Sequence, residues 1–338
     1  MTGHHLRVIS VCLVLVLLAA VGCTEKKPVT SAPSIPPQPS AVRLSIAVRS
    51  KLGKGDFGPG RLAVDSERGR LWISMSCPGR CPPGDQVWLL DGRDLKVLKR
   101  VKVDTRCSDS QFAPAMALDA ESGSLIVGSC QADRAFVVDG AGNVRRMTAP
   151  RSAEFTVVDG ALIALRDPVE VIDLGTGRVR ARFRAGGVAI EAVRHDQSLF
   201  LLHGSVVTEV DIAKWQVRRT IKVPVDGECM AVYSDSLFIT RGGSDEVVIV
   251  AVGSEPSRRT VHAPADSCHV MVDPSRRAAY MSFDAEAEWG LLAMSLPGFR
   301  EQARLPVGAS SVGWTGLDVA HHAVYAEVAH ELVKVNIT

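Results

Sequence analysis

Five side chains in the sequence have the chemistry to bind or transform a ligand. Arg166, His203 and Arg241 close three similar apolar runs. Arginine and histidine gathered at one opening can hold an anionic group, because arginine offers a planar fork of donors. Glu228 and His269 each adjoin a cysteine, and such a pair suits half of a metal site or an acid–base site. Solvated rim residues or ion pairs between neighbouring elements are the alternative interpretation.

The sequence lacks the common catalytic motifs. It contains no His-Glu-x-x-His zinc motif, no Gly-x-Ser-x-Gly nucleophile elbow and no glycine-rich phosphate loop. The 39 Lys and Arg residues and the 37 Asp and Glu residues leave a formal net charge of +2, which gives no reason to expect a nucleic acid partner. These observations favour a binding protein over an enzyme, without a resident cofactor or metal.

Short apolar runs recur along the chain and predict its architecture. Seven runs of one kind follow tight turns, at intervals of about 40 residues. They begin at Leu71, Leu125, Leu162, Leu199, Leu237, Ala279 and Val324. A shorter apolar run precedes each of them. A third run follows, and then a fourth run that alternates basic and apolar residues, as an outer strand with one face in water does. The pattern predicts an all-β, seven-bladed β-propeller with four antiparallel strands, a to d, in each blade.

The two ends of the domain are predicted to close the ring together. The last repeat ends at Thr338 without a fourth strand, and an additional strand from Arg43 to Ser50 precedes the first blade. Pairing this strand beside Leu332 to Val335 completes the seventh blade and removes an open sheet edge.

Two units show a family resemblance clearly: Val169–Gly187, VEVIDLGTGRVRARFRAGG, and Val207–Pro224, VTEVDIAKWQVRRTIKVP. From about Arg43 to Thr338 the chain resembles the YVTN/YncE-type propeller repeats. The resemblance implies the architecture but no particular ligand, because such propellers bind varied partners. The asparagine that ends the b strand in that family is absent here, so no ligand site is carried over.

Residues 1–22 are interpreted as a lipoprotein signal peptide. The apolar run from Val8 to Gly22 is shorter than the about 20 residues that span a membrane. It ends in Ala20-Val21-Gly22-Cys23, which resembles a lipobox and predicts lipidation of Cys23. Ordinary secretion is the alternative. Residues 23–41, rich in Pro and Ser, read as a tether, and residues 42–338 as the propeller domain. We expect a monomer anchored to the cell membrane on its extracytoplasmic side.

The other cysteines of the mature chain are predicted to share one face of the propeller. The b–c and d–a loops of a propeller lie on the same face, and six cysteines fall in or beside them: Cys77, Cys81, Cys107, Cys130, Cys229 and Cys268. An even number in an exported protein favours disulfides. The preferred pairs are Cys77–Cys81, Cys107–Cys130 and Cys229–Cys268, because each lies within one blade or joins neighbouring blades. A four-thiolate zinc site formed by the first four cysteines is the alternative.

Three functions are compatible with this sequence. The preferred one is a binding module for a protein, a peptide or an envelope polymer. The second is a lyase or hydrolase with its site at the mouth of the central channel, where His203, His269 and Glu228 are expected. The third is a scaffold subunit of an envelope complex.

Overall fold

The structure is a computed structural model that describes residues 42–52, 58–76, 86–105, 107, 113–253, 257–263, 269–285, 288–308 and 312–338. Within these residues, 28 strands form seven four-stranded antiparallel sheets. The all-β, seven-bladed architecture predicted from the repeats is therefore confirmed. Across the part of the chain described, no helix has the length and apolar composition needed to cross a membrane.

The strands follow the blades in chain order, except for β1 (Leu44–Lys51). Blades 1 and 2 comprise β2 (Gly58–Asp65), β3 (Arg70–Ser76), β4 (Gln86–Asp91), β5 (Val97–Lys102), β6 (Met116–Asp119), β7 (Ser124–Gly128), β8 (Ala135–Val138) and β9 (Val144–Met147). Blades 3 and 4 comprise β10 (Phe155–Val158), β11 (Ala161–Ala164), β12 (Val169–Asp173), β13 (Val179–Phe183), β14 (Glu191–His195), β15 (Ser198–His203), β16 (Val206–Asp211) and β17 (Gln216–Lys222). Blades 5 and 6 comprise β18 (Cys229–Tyr233), β19 (Ser236–Thr240), β20 (Glu246–Ala251), β21 (Arg258–His262), β22 (Met271–Asp273), β23 (Ala278–Ala285), β24 (Glu288–Ser295) and β25 (Glu301–Gly308). Blade 7 comprises β26 (Val312–Asp318), β27 (Ala323–Val328), β28 (Glu331–Ile337) and β1.

The first strand of each blade is the innermost one. Strand β2 of blade 1 contacts β6 of blade 2 and β26 of blade 7, and β18 of blade 5 contacts its equivalents in blades 4 and 6. The fourth strands lie outside and alternate exposed and partly buried residues, as in β13, VRARF. The residues at the ends of the inner strands are therefore the ones that surround the central channel.

Seven apolar clusters hold the ring together, one between each pair of neighbouring blades. The cluster between blades 4 and 5, for example, packs Phe200 and Leu202 against Met230 and Ile239. Another packs Leu71 of blade 1 against Tyr325 of blade 7 and so completes the circle. Because the middle strands are covered on both faces, they are buried along their length, as in β15, SLFLLH. Burial of this kind stabilises the fold by about 25 cal/mol for each Å² of apolar surface.

The predicted closure of the ring is confirmed. Strand β1 lies antiparallel to β28, with Leu44 opposite Ile337 and Ile46 opposite Val335. The backbones of Arg43 and Thr338 exchange two hydrogen bonds, of 2.8 and 3.0 Å. The seventh sheet therefore joins both ends of the domain, and β28 has no free edge.

Cationic side chains connect neighbouring blades at the rim. Arg68 of blade 1 donates to the carbonyl of Glu121 in blade 2 at 2.8 Å. Arg145 of blade 2 donates to the carbonyl of Leu174 in blade 3 at 2.7 Å. These contacts satisfy backbone oxygens that lie beyond the ladders of the sheets.

Candidate binding site at the channel mouth

Six side chains from six blades meet where the inner strands begin. They are Arg61 in β2, Glu154 before β10, Glu191 at the start of β14, Glu228 before β18, His269 before β22 and Trp314 in β26. We call this set the mouth cluster. Direct contacts or electrostatic interactions connect each member to at least one other member.

Arg61 connects three blades at this mouth. Its guanidinium forms an ion pair with Glu154 of blade 3, and its Nη2 donates to the carbonyl of Ala153 at 3.2 Å. The same guanidinium lies 4.4 Å from the ring centroid of Trp314 in blade 7, a cation–π contact. Only 13% of the Arg61 side chain is exposed, and its Nε has no hydrogen-bond partner among the described residues.

His269 lies on the other side of Trp314. Their ring centroids are 5.5 Å apart. Burial lowers the pKa of His269 below its usual value, and the positive charge of Arg61 acts in the same direction, while Glu228 opposes both. The imidazole is therefore neutral at pH 7. Its buried Nδ1 has no hydrogen-bond partner within the described ranges.

Two carboxyl groups at the mouth are hard to ionise. Burial raises the pKa of Glu154, although the hydrogen bond and the charge of Arg61 lower it. Burial also raises the pKa of Glu191 to about 7; the Glu154 charge raises it further, and the Ala192 amide and Arg61 oppose the shift. Since removing a carboxylate from water disfavours its charged form, Glu191 exchanges its proton near neutral pH.

Irregular backbone positions half of the mouth cluster. Strand β2 contains one extra residue between Pro59 and Leu62 relative to β3, and β26 contains one between Val312 and Thr315 relative to β27. These bulges lie at Arg61 and Trp314, and a β-bulge redirects the side chains around it. His269 has a φ of 53°, which is uncommon for a residue with a Cβ.

The five residues singled out in the sequence lie in different surroundings. Glu228 and His269 belong to the mouth cluster, whereas Arg166 and Arg241 follow β11 and β19 in b–c loops farther from the channel. His203 is buried at the end of β15, and its Nε2 lies 2.7 Å from Oγ1 of Thr208. Thr208 in turn donates to the carbonyl of Ala185 at 2.8 Å. The hydrogen bond of the His203 ring therefore lies within its own blade.

Sequence reasoning missed Arg61, Glu154, Glu191 and Trp314. One signal for the acidic members was present, because Glu154, Glu191 and Glu228 recur at intervals of 37 residues, at the same position in three successive blades. No comparable signal marks Arg61 or Trp314, because the bulges shift both residues out of the repeat register.

The disulfide predicted between Cys107 and Cys130 is confirmed, with a Cα–Cα distance of 5.1 Å. It joins the connection between blades 1 and 2 to the end of β7. Cys229 is disulfide-bonded as well, while Cys23, Cys77, Cys81 and Cys268 lie outside the described residues. A bonded Cys107–Cys130 pair offers no thiolate, so the alternative four-thiolate zinc site is wrong for this structure.

A groove of about 470 Å³ opens at the other end of the ring, between blades 2 and 3. Its carboxylates are engaged in turns. Asp139 accepts from the backbone and side chain of Asn143, both at 2.8 Å, and Asp119 accepts from Ser122 at 2.5 Å. Because these carboxylates stabilise the turns, we attribute the groove to the structure of the turns.

Many solved structures resemble the chain, among them the following two. It shares 10% identity with the β-propeller domain of Cps50 (Swd1) from Myceliophteria thermophila, over 88% of this chain and 100% of that one, with a TM-score of 0.67. It shares 15% identity with hydrazine synthase of Kuenenia stuttgartiensis, over 84% of this chain and 97% of that one, with a TM-score of 0.62. No family model and no curated protein matches the sequence. The similarity and the seven sheets define the chain as a seven-bladed β-propeller, a fold that commonly serves interactions.

Proposed function

We propose that this β-propeller is a binding module that receives its ligand at the mouth cluster. The observation that carries the proposal is the convergence of six chemically active side chains from six blades, with buried polar atoms of Arg61 and His269 still unpartnered among the described residues. A buried polar atom without a partner is rare in a folded protein and is often satisfied by a ligand or a water.

The backbone at the mouth supports the same proposal. Bulges in β2 and β26 and a left-handed backbone at His269 place Arg61, Trp314 and His269 at the mouth. Bulges and positive φ values are enriched at functional sites, because strain persists only where the surrounding structure enforces it.

The proposal places the module outside the cytoplasm, anchored by a lipid on Cys23. The support comes from the apolar run, the lipobox-like residues before Cys23 and the Pro- and Ser-rich stretch of residues 24–41. The disulfide between Cys107 and Cys130 agrees with an oxidising compartment. We also propose that the repeats are of the YVTN/YncE type and that the protein acts as a monomer.

A lyase or hydrolase is the second candidate. One observation favours it, the presence of Glu191 with a pKa of about 7 and of a neutral His269 in the same cluster. A carboxyl group whose pKa is raised towards neutral pH suits acid–base catalysis, and a neutral imidazole can accept a proton. An enzyme would release a chemically altered ligand and lose this turnover in both Glu191→Gln and His269→Gln, whereas a binding module would release the ligand unchanged.

Capture experiments with matched variants test the binding proposal. Purified protein is immobilised and incubated with a solubilised envelope fraction, and the retained molecules are quantified by mass spectrometry. We expect a double variant of Glu228→Gln and His269→Gln to reduce specific retention more than tenfold. Arg166→Gln with Arg241→Gln, in the b–c loops, is expected to reduce it less.

Glu121→Gln is the control, because Glu121 is exposed in an a–b turn at the other end of the ring. It should retain the same molecules as the wild type. Equal retention by the mouth variants, with unchanged circular dichroism, would contradict the assignment of the site to the mouth.

A further inference from the structure

Charge is unevenly distributed on the face opposite the mouth. This face carries the a–b and c–d turns of every blade, and in blade 6 the Leu296 N–H of one turn donates to the Arg277 carbonyl of the other at 2.7 Å. The a–b turn of blade 6 contains Arg276 and Arg277, and it contains no acidic residue. The a–b turns of blades 2 to 5, in contrast, each expose one acidic side chain: Glu121, Asp159, Asp196 and Asp235.

Five arginines lie on or beside blades 6 and 7 at this face, and we call them the blade 6–7 patch. None of them forms an ion pair with a described carboxylate. Two donate to backbone carbonyls instead, Arg276 to Ile337 at 3.4 Å and Arg259 of blade 5 to Pro297 of blade 6 at 2.7 Å. Such contacts position a guanidinium without neutralising its charge. The patch consists of Arg43, Arg259, Arg276, Arg277 and Arg300.

The three carboxylates that blades 6 and 7 place at this face are engaged elsewhere. Asp273 is fully buried, and its Oδ1 accepts from the amides and the hydroxyl of its own turn. Asp318 is also buried and lies 3.0 Å from Nδ1 of His321. Glu301 pairs with Arg304 at 3.1 Å. The exposed groups of this part of the face therefore carry a net positive charge, which attracts anions.

Arg43 also marks the point where residues 23–41 join the propeller. Its backbone exchanges hydrogen bonds with Thr338, and the neighbouring Ile337 N–H donates at 2.8 Å to the carbonyl of His322 in the a–b turn of blade 7. Arg43 therefore lies at the face opposite the mouth. The 19 residues from Cys23 onwards span at most about 65 Å when fully extended. A lipid on Cys23 would keep the patch within that distance of the membrane.

Building on the extracytoplasmic location and lipid anchor of the proposed function, we infer that the blade 6–7 patch binds the anionic phospholipid headgroups of the membrane. Each arginine near an anionic lipid surface strengthens attachment about fivefold, and a basic patch is a second signal that makes a lipid anchor more stable. The acidic turns of blades 2 to 5 are repelled by the same surface. The ring therefore rests on blades 6 and 7, and its mouth opens away from the membrane.

Vesicle binding tests the patch separately from the lipid. The mature chain, residues 23–338 with Cys23→Ser, is sedimented with vesicles of phosphatidylcholine, either alone or with about 30% phosphatidylglycerol. We expect at least tenfold tighter binding to the anionic vesicles, and we expect this binding to weaken as the salt concentration rises.

Matched variants locate the binding on the ring. Arg43→Gln with Arg300→Gln should weaken binding to the anionic vesicles at least tenfold. Neither side chain makes a hydrogen bond within the described residues, so we expect the fold to be unaffected, and equal unfolding temperatures check this. Arg146→Gln with Arg178→Gln removes the same charge from exposed positions of blades 2 and 3 and should bind like the wild type.

Hydrogen–deuterium exchange of the lipid-modified protein tests the orientation. Adding phosphatidylglycerol to the vesicles should slow exchange in residues 274–277 and 297–300, the two turns of blade 6, and leave the residues around Arg61 and Glu191 unchanged. Slower exchange at the mouth instead would overturn the orientation.

Three further results would overturn the inference: equal binding to the two kinds of vesicle, equal weakening by the two pairs of variants, or binding of soluble dextran sulfate through the patch without binding of vesicles. The last result would assign the patch to an anionic polymer. Capture at the mouth is measured independently. Intact capture without vesicle binding would reject this inference alone, whereas vesicle binding with equal capture by the mouth variants would reject the binding site of the proposed function alone.

Discussion

The guanidinium of Arg61 lies over the indole ring of Trp314, 4.4 Å from its centroid, and the two residues belong to the first and the last blade of the ring. The contact can exist only when the ring is closed. Closure depends on the pairing of β1 with β28, so the integrity of the candidate site depends on a strand that is remote from it.

Deleting residues 42–51 is therefore expected to damage both stability and the site. The deletion exposes the edge of β28 and removes the contacts of Leu44 and Val48 with the apolar clusters of blades 6, 7 and 1. We expect the unfolding midpoint to fall by more than about 10 °C, as the loss of several kcal/mol implies. Differential scanning calorimetry measures this change, and a deletion of residues 24–40 serves as the control that should unfold like the wild type. Similar midpoints for the two deletions would contradict the role of β1.

Replacing Arg61 should destabilise the protein in a pH-dependent way. In Arg61→Gln the partly buried Glu154 loses its ion-pair partner, so its pKa rises further above the value of the unfolded chain. The destabilisation is then small at pH 4, where Glu154 is protonated in either state, and reaches about 2 kcal/mol at pH 8. Urea denaturation at the two pH values measures the difference. The double variant Arg61→Gln, Glu154→Gln should recover part of the loss at pH 8, and an equal loss in the single and double variants would argue against the ion pair.

Replacing Glu191 should have the opposite effect on stability. Its pKa of about 7 in the folded protein exceeds the ordinary value of 4.5, so folding becomes less favourable as the pH rises through this interval. Glu191→Gln removes that penalty and should stabilise the protein by about 1–3 kcal/mol at pH 8 and hardly at all at pH 4. Thermal unfolding at both pH values checks the prediction, with Glu121→Gln as the exposed counterpart. A destabilised Glu191→Gln at pH 8 would show that the glutamate is ionised without cost in the fold.

Removing the Cys107–Cys130 disulfide should lower stability without abolishing the fold. The bond spans 23 residues, and a loop of that size corresponds to about 3 kcal/mol in the chain-entropy account. Chemical denaturation of Cys107→Ser, Cys130→Ser against the wild type in non-reducing buffer measures the loss. Since seven apolar clusters remain, the unfolding transition should stay cooperative, and a variant that does not fold would show that the bond has a larger role.

The sequence by itself determined the repeat, the number of blades and the closing strand. These features are local or additive: each blade carries its own apolar runs and turns, as in Leu199–Asp211, and a missing last strand is matched by an extra first one. The pairing of Cys107 with Cys130 followed from the same assignment of strands and loops to blades, because the two cysteines belong to adjacent elements of the ring.

Only the tertiary structure decided which side chains meet. His203 and Arg241 occupy equivalent places in two repeats, yet one is buried against Thr208 and the other is exposed, because the neighbours of the two side chains differ where the sequence pattern does not. Arg61 and Trp314 come together through ring closure and two bulges, each a single extra residue without a mark in the periodic pattern. A repeat can be recognised from short-range spacing in the sequence. A site at the axis is formed by the ends of strands that are far apart in the chain. The charges and contacts of the residues at these strand ends depend on one another, and the contacts form only when the ring is closed.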